Sequence, residues 1–135
     1  MATQPASHVH TAGNAVPGVD DTELGGILTD LADIHAGIDL IRDGLRHIAL
    51  TRHSLADTQL LAVTLAGSAD GTDVLTAVGE LVARLTNPDT NPCLRQLPFD
   101  QQKNTQTAGE NLAYNLADPD LHQHAAEASG HIHSD

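Results

Sequence analysis

The sequence predicts an all-α protein, because three features of the chain favour helices packed against helices. Hydrophobic residues make up 40% of the chain, but Phe99 and Tyr114 are its only aromatic residues and it has no Trp. Burial must therefore come from Leu, Ile, Val and Ala, which suit contacts between helices. The second feature is a long run of Leu and Ile at helical spacing, and the third is a shorter run after a turn.

The long run lies in residues 24–55, where large apolar residues recur at alternating spacings of three and four. Position a of this heptad repeat holds Leu24, Leu31, Ile38 and Leu45, and position d holds Ile27, Ile34, Ile41, Ile48 and Leu55. The repeat predicts one long amphipathic helix over about residues 21–66, begun by the capping-box spacing of Asp20 and Glu23. The register slips after residue 55, so the helix either continues through a skip or kinks near Ser54.

A second helix is predicted over about residues 73–86, after a turn of composition Gly-Ser-Ala-Asp-Gly at residues 67–71. Thr72 is a suitable N-cap for this helix. Its apolar residues are expected to face inward, and they are Val74, Leu75, Val78, Leu81, Val82 and Leu85. The two helices would then form a helical hairpin or bundle.

Composition divides the chain into four segments. Residues 1–19 are a flexible N-terminal arm, 20–86 the helical hairpin or coiled-coil core, 87–104 a proline-rich extended connector, and 105–135 a C-terminal arm with a His-rich end. Two marginal short helices are expected in the last segment, and Asp118 followed by proline is typical of a helix start.

The charge of the chain argues against two classes of partner. Six Lys and Arg oppose eighteen Asp and Glu, for a formal net charge of -12. This excess opposes approach to nucleic acid and to anionic membrane surfaces, so we expect neither as a partner. Nine His would reduce the charge to -3 if all were protonated, which makes an acid-sensitive association conceivable.

Cysteine content and the N-terminus bear on the compartment. Cys93 is the only cysteine, so no disulfide can form within the chain. The first residues show neither a basic start nor an apolar run, so we expect no secretion signal and a location in the cytoplasm or within a virus-like particle.

Three His-x-His pairs are the first candidate for chemistry. They are His8 with His10, His122 with His124, and His131 with His133. In an extended segment such a pair can chelate Zn, Ni or Cu. A metal site built from His122, His124, His131 and His133 is therefore one alternative, although solvated histidines explain these positions better and we predict no cofactor.

Acids and histidines inside the long helix are the second candidate. They are Asp30, Asp33, His35, Asp39, Asp43, His47 and His53, and they fall off the apolar seam, as a solvated charged face would. Neither a nucleophile elbow nor a phosphate-binding loop is present. We therefore predict no catalytic residue and a protein that is not an enzyme.

The heptad seam is the most specific signal, and it predicts an interaction surface. Its members are Leu24, Ile27, Leu31, Ile34, Ile38, Ile41, Leu45, Ile48 and Leu55. A strict repeat over four heptads favours a supercoiled seam, and Leu at a with Ile at d favours bundles larger than dimers. We expect a structural or assembly protein, a homo-oligomer or subunit of a complex, such as a small component of a virion or another large particle. The alternatives are a His-rich metal-binding protein and an acidic regulatory module that binds a basic partner.

Overall fold

The computed structural model describes residues 15–68 and 70–133, and this part of the chain is helical without strands. Six α-helices and one 3-10 helix follow one another in it. They are α1 (Glu23–Asp30), α2 (Ala36–Leu50), α3 (Leu55–Ala66), α4 (Val74–Leu85), the 3-10 helix Pro92–Gln96, α5 (Phe99–Leu116) and α6 (Pro119–Gly130). The predicted all-α class is confirmed. Among the described residues, none of the helices combines the length and the apolar character needed to cross a membrane.

The chain divides into two compact units, Met1–Arg52 and His53–Asp135. The boundary falls inside the segment 20–86, which the sequence predicts to be a single core. The first unit contains α1 and α2, and the second contains the other helices. Most of the proposed N-terminal arm, residues 1–14, lies outside the described residues.

The prediction of one long helix over about residues 21–66 is wrong, because the chain leaves the helix twice. The first break covers residues 31–35, where Asp33 has a left-handed backbone with φ of 64°. Short polar side chains bind the backbone here: Asp39 Oδ1 accepts from the Asp33 N–H at 3.1 Å, and His35 Nδ1 accepts from the Gly37 N–H at 2.8 Å. Such local hydrogen bonds offer the backbone an alternative to the helix, and the pattern of apolar residues gives no indication of them.

The second break covers residues 51–54 and follows one of the two alternatives drawn from the sequence. Ser54 caps α3, its side chain accepting from the Asp57 N–H at 3.1 Å. The predicted fresh start at Ser54 is therefore confirmed. The predicted start of the first helix is displaced, because the N-cap of α1 is Thr22, which accepts from the Gly25 N–H.

The two helices of the first unit are joined by a small apolar centre and by two arginines. Leu28 on α1 is fully buried, at 0% exposure, and Val19 packs just before the helix. The Arg42 side chain of α2 donates from Nε to the Leu28 carbonyl oxygen at 2.5 Å, and Arg46 lies 3.2 Å from the Asp20 carboxylate. The arginines of α2 thus bind back to the α1 segment instead of forming only a solvated face.

In the second unit, α4 packs mainly on α5 and α3 mainly on α6, with fewer contacts between α3 and α4. The simple hairpin of two helices is therefore not the arrangement found. The N-cap of α4 is Asp73, one residue after the predicted Thr72. Four of the side chains expected to face inward from α4 are exposed, and they are Val74, Val78, Leu81 and Leu85.

Glycines allow α4 and α5 to approach closely. A Cβ atom at Gly79 would lie 3.1 Å from the Cα of the buried Ala113, and a Cβ at Gly109 would overlap the Thr86 side chain. Small residues at these points let one helix backbone reach the other, so the contact depends on the missing side chains.

The segment 87–104 is not an extended connector. Pro92 begins the 3-10 helix, and α5 begins at Phe99, six residues before the predicted start at residue 105. The Gln102 side chain donates to the Leu97 carbonyl oxygen at 2.8 Å, which ties the start of α5 to the preceding turn. Prolines at the first position of a helix favour it, so the three prolines here do not exclude helices. The predicted cap of α6 is confirmed, since Asp118 accepts from the Asp120 N–H and Pro119 follows it.

Candidate functional site

The predicted seam is divided between the two units. Leu55 begins α3 in the second unit, whereas the other eight residues lie on α1, α2 and the link between them. Within the first unit, the position-a residues Leu31, Ile38 and Leu45 are half-buried. By contrast, three isoleucines at position d are exposed. They are Ile27 at 50%, Ile34 at 66% and Ile41 at 45%.

We call these three position-d residues the isoleucine row. Leu24 at the start of α1 is also exposed, at 40%, and Ile48 is half-buried. No residue of α2 is fully buried. The repeat therefore separates two roles that the sequence pattern combines, because three of the four a positions are half-buried and most d positions are exposed.

Three polar side chains of the predicted long helix, those of His35, Asp39 and Asp43, make local structural contacts. His35 and Asp39 bind backbone N–H groups at the α1–α2 link, as described above, and Asp43 pairs with the neighbouring Arg42 at 3.2 Å. Asp30, His47 and His53 lie at other positions along α1, α2 and the break before α3. Within residues 15–68 and 70–133, no three His, Cys, Asp or Glu side chains converge as a metal-binding group.

The His-x-His pairs differ from one another in their surroundings. His8 and His10 lie outside the described residues. His124, His131 and His133 are exposed on or after α6, but His122 is buried. The expectation that the C-terminal histidines are all solvated is therefore wrong for His122.

The buried His122 contacts Asp73, 49 residues before it in the chain. His122 Nδ1 lies 2.5 Å from Asp73 Oδ2, and the two side chains are 4% and 0% exposed. This contact is an ion pair when His122 is protonated, and it is not an aligned hydrogen bond. On the other side of the ring, Nε2 is hydrogen-bonded to the Leu116 carbonyl oxygen at the end of α5. We call this arrangement the Asp73–His122 pair.

Asp73 is held as a carboxylate by the backbone around it. Its Oδ1 accepts from the Thr76 N–H at 2.8 Å, and its Oδ2 accepts from the Ser68 N–H at 3.1 Å. Burial acts to raise the pKa of Asp73, but the bonds from Thr76 and Ser68 and the contact with His122 outweigh it and lower the pKa below its ordinary value of 3.8.

Both ring nitrogens of His122 lie close to acceptor oxygens, Nδ1 to Asp73 Oδ2 and Nε2 to the Leu116 carbonyl oxygen. A carbonyl and a carboxylate can only accept, so the geometry suits the imidazolium form. The bond to the Leu116 carbonyl raises the pKa of His122, burial opposes it, and Asp73 and Asp118 raise it further, leaving the pKa above 6.5.

This arrangement limits the chemistry that His122 can perform. In the imidazolium form, neither ring nitrogen has a lone pair for a metal or for a substrate proton. Both nitrogens are also covered, Nδ1 by Asp73 and Nε2 by Leu116. The pair is therefore a structural contact in this state. His122 does not fit the alternative metal site with His124.

Sequence reasoning did not find the Asp73–His122 pair. Two α-helices and the 3-10 helix lie between its members in the chain, and His122 belongs to a His-x-His motif that suggested metal ions instead. The sequence did contain one local indication. Asp73 stands directly before the apolar run of α4, where Asp is as suitable an N-cap as the predicted Thr72.

The chain matches no protein-family model, no curated protein and no solved structure. The functional proposals therefore depend on the geometry of the two units.

Proposed function

We propose that this chain is a non-enzymatic assembly protein in which the first unit associates with a second copy through the isoleucine row. The observation that carries the proposal is the exposure of Ile27, Ile34 and Ile41, three large apolar side chains at one heptad position. Soluble proteins expose single apolar residues routinely, but three large apolar side chains exposed on one small unit, on α1, on the α1–α2 link and on α2, favour a contact surface.

The small core of the first unit supports an additional contact. In its described part, the buried hydrophobic residues are Val19 and Leu28. The unit spans Met1–Arg52, not far above the length of about 40 residues below which a disulfide, a metal or a partner is usually needed for folding. Cys93, the only cysteine, belongs to the second unit, so association is the means that the sequence favours.

The chemistry of the row favours a second copy over other partners. Isoleucine side chains are self-complementary, and the net charge of -12 disfavours nucleic acid and anionic membranes. Covering one half-exposed isoleucine contributes about 1 kcal/mol to the free energy of association. When two copies meet through the isoleucine row, the isoleucines of both copies are covered. A role in a large particle follows the same logic, with each copy supplying one repeated contact.

A matched pair of variants on α2 tests the proposal. Ile41→Asp places a carboxylate in the row, whereas Leu40→Asp makes a similar change at a residue that is 74% exposed and outside the heptad seam. Size-exclusion chromatography with light scattering should give a multiple of 14.1 kDa for the wild type and for Leu40→Asp, and about the monomer mass for Ile41→Asp.

Two results would contradict self-association through this row. One is a wild-type mass of 14.1 kDa at every concentration. The other is an equal loss of mass in both variants, which would show that any added charge on α2 is sufficient.

A further inference from the structure

The interface of α6 contains few apolar side chains. The residues of α6 that are fully buried are His122 and Ser129, both polar, and Ala125 between them is half-buried. Leu121, the large apolar residue of the helix, is exposed. Apolar burial therefore contributes little to the free energy that keeps α6 packed on the unit. The polar contacts of His122 and Ser129 contribute a large part of it.

Near its C-terminus, α6 is held by Gln59 of α3. Gln59 Nε2 donates to the carbonyl oxygens of Ser129 and Ile132 at 3.0 and 3.1 Å, and Ser129 Oγ donates to the Gln59 carbonyl oxygen at 3.1 Å. None of these groups titrates near neutral pH. The other buried residue, His122, has a side chain that can gain or lose a proton.

We propose that His122 is a pH-sensitive latch, which as an imidazolium holds α6 against α3 and the N-cap of α4, and which releases α6 when it loses its proton. The Asp73–His122 pair connects the start of α4 to α6, and the Nε2 bond connects α6 to the end of α5. A neutral ring keeps one proton only, so one acceptor oxygen would then face a lone pair in a buried site.

The charged groups around His122 all favour its protonated form. Asp73 faces it from the α4 N-cap and Asp118 from the α6 N-cap, while α5 contributes the Leu116 carbonyl oxygen. Asp120 of α6 lines a shared cavity with His122 and with Gly67, the C-cap of α3. Carboxylates and a carbonyl thus surround the ring.

The direction of the pH effect follows from these groups. Because the folded pKa of His122 is raised above 6.5, its contribution is fully present below 6.5 and is lost as the pH rises through the folded pKa. Asp73 has a lowered pKa, so its contribution is lost only as the pH falls below 3.8 and through the folded value. The latch is therefore closed in mild acid and opens toward alkaline pH.

Release of α6 amounts to local unfolding. A helix of 12 residues is marginal in water without a partner surface. When α6 leaves, the buried Gly67 at the end of α3 is uncovered, because it lies against the backbone of Ala125 and Ala126. The second unit then presents a new surface at α3 in a pH-dependent manner.

Hydrogen exchange of the full chain, followed by mass spectrometry between mild acid and alkaline pH, tests the latch. Peptides from α5 serve as an internal reference for the intrinsic pH dependence of exchange. Opening of residues 119–130 relative to α5 should increase up to about tenfold per pH unit between 6.5 and the folded pKa of His122, and then level off. If the exchange of residues 119–130 relative to that of α5 does not change with pH, the proposal is overturned.

Two variants in α6 separate the latch from a general effect of histidines. His122→Gln should open α6 at mildly acidic pH to the level of the alkaline wild type and remove the pH dependence. His124→Gln, at the exposed neighbour in the same helix, should keep the wild-type profile. The reverse pattern, with the profile lost in His124→Gln, would overturn the proposal.

An NMR titration of the wild-type His122 ring keeps the test valid if His122→Gln does not fold. The ring ¹⁵N shifts should report an imidazolium whose midpoint coincides with the opening of α6. A neutral ring below pH 6.5, or a midpoint unrelated to exchange, would show that His122 is only a buried structural residue.

Discussion

Single residues control both units through side chains that are small or charged. Gly109 lets α5 approach α4, where an added Cβ would lie 2.9 Å from the Thr86 Cβ and would overlap its hydroxyl. The Thr86 hydroxyl itself donates to the Val82 carbonyl oxygen at 2.7 Å, so it is not free to move without losing that bond. The contact is therefore sensitive to a single methyl group.

Gly109→Ala should destabilise the second unit by about 1–3 kcal/mol, because overpacking at a close helix contact outweighs the better helix propensity of Ala. Gly44→Ala is the control, since a Cβ at Gly44 in α2 has nothing within 4 Å. That change should stabilise its own unit by up to about 1 kcal/mol. Urea unfolding followed by circular dichroism measures both, and stabilisation by Gly109→Ala would contradict the close contact.

Asp73→Asn should destabilise the second unit by about 3 kcal/mol in mild acid, because it leaves the buried His122 without its counter-charge. Asn still caps a helix, so the loss comes from the charge and not from the cap. The difference from wild type should shrink as the pH rises above the folded pKa of His122, where the ring is neutral in both proteins. Unfolding at several pH values measures it, and a difference independent of pH would contradict the ion pair.

At the scale of elements, the sequence predicted the presence of helices and some of their caps better than it predicted where the helices break. The sequence predicts Asp118 as a helix start and Ser54 as one of two alternatives, because a short polar side chain before an apolar run is a local signal. The break at 31–35 was not predicted, since Leu31 and Ile34 sit in it at heptad positions. One bond at this break joins Asp33 to Asp39, six residues apart, and the other joins Gly37 to His35. Neither bond is visible in the hydrophobic periodicity.

The Asp73–His122 pair could not be predicted from the sequence for a different reason. Its members meet only because α6 packs on α3 and next to the start of α4. Nothing in the spacing of one sequence indicates such a contact. The exposure of Val74 and Leu81 on α4 was likewise unpredictable, because it depends on which face α5 covers.

Asp33→Gly tests whether the chain leaves the helix between α1 and α2. Asp33 has φ of 64°, a conformation that Gly adopts without the steric cost that a Cβ brings. The substitution should stabilise the first unit by up to about 1 kcal/mol, whereas Asp33→Val should destabilise it by about 1–2 kcal/mol. Thermal unfolding by circular dichroism measures both changes, and stabilisation by Val would indicate a continuous helix.

At the scale of the whole molecule, charge opposes the association that the isoleucine row favours. Each copy carries a formal charge of -12, so two copies repel one another through solvent. Salt screens this repulsion over a Debye length of about 10 Å at 0.1 M, but it does not weaken apolar contacts.

Raising the ionic strength should therefore strengthen self-association. Sedimentation velocity in low and high NaCl measures the change, and the sedimentation coefficient should rise with salt at fixed protein concentration. Association held by ion pairs between copies would weaken with salt instead, and that result would contradict an apolar interface.

Isotope-filtered NMR on an equal mixture of labelled and unlabelled chains tests the central proposal most directly. The methyl groups of Ile27, Ile34 and Ile41 should show contacts to protons of the other copy, because they form the exposed isoleucine row. Leu40, outside the row, should show none. The absence of contacts between copies from these three methyls, or their presence at Leu40 instead, would contradict assembly through the row.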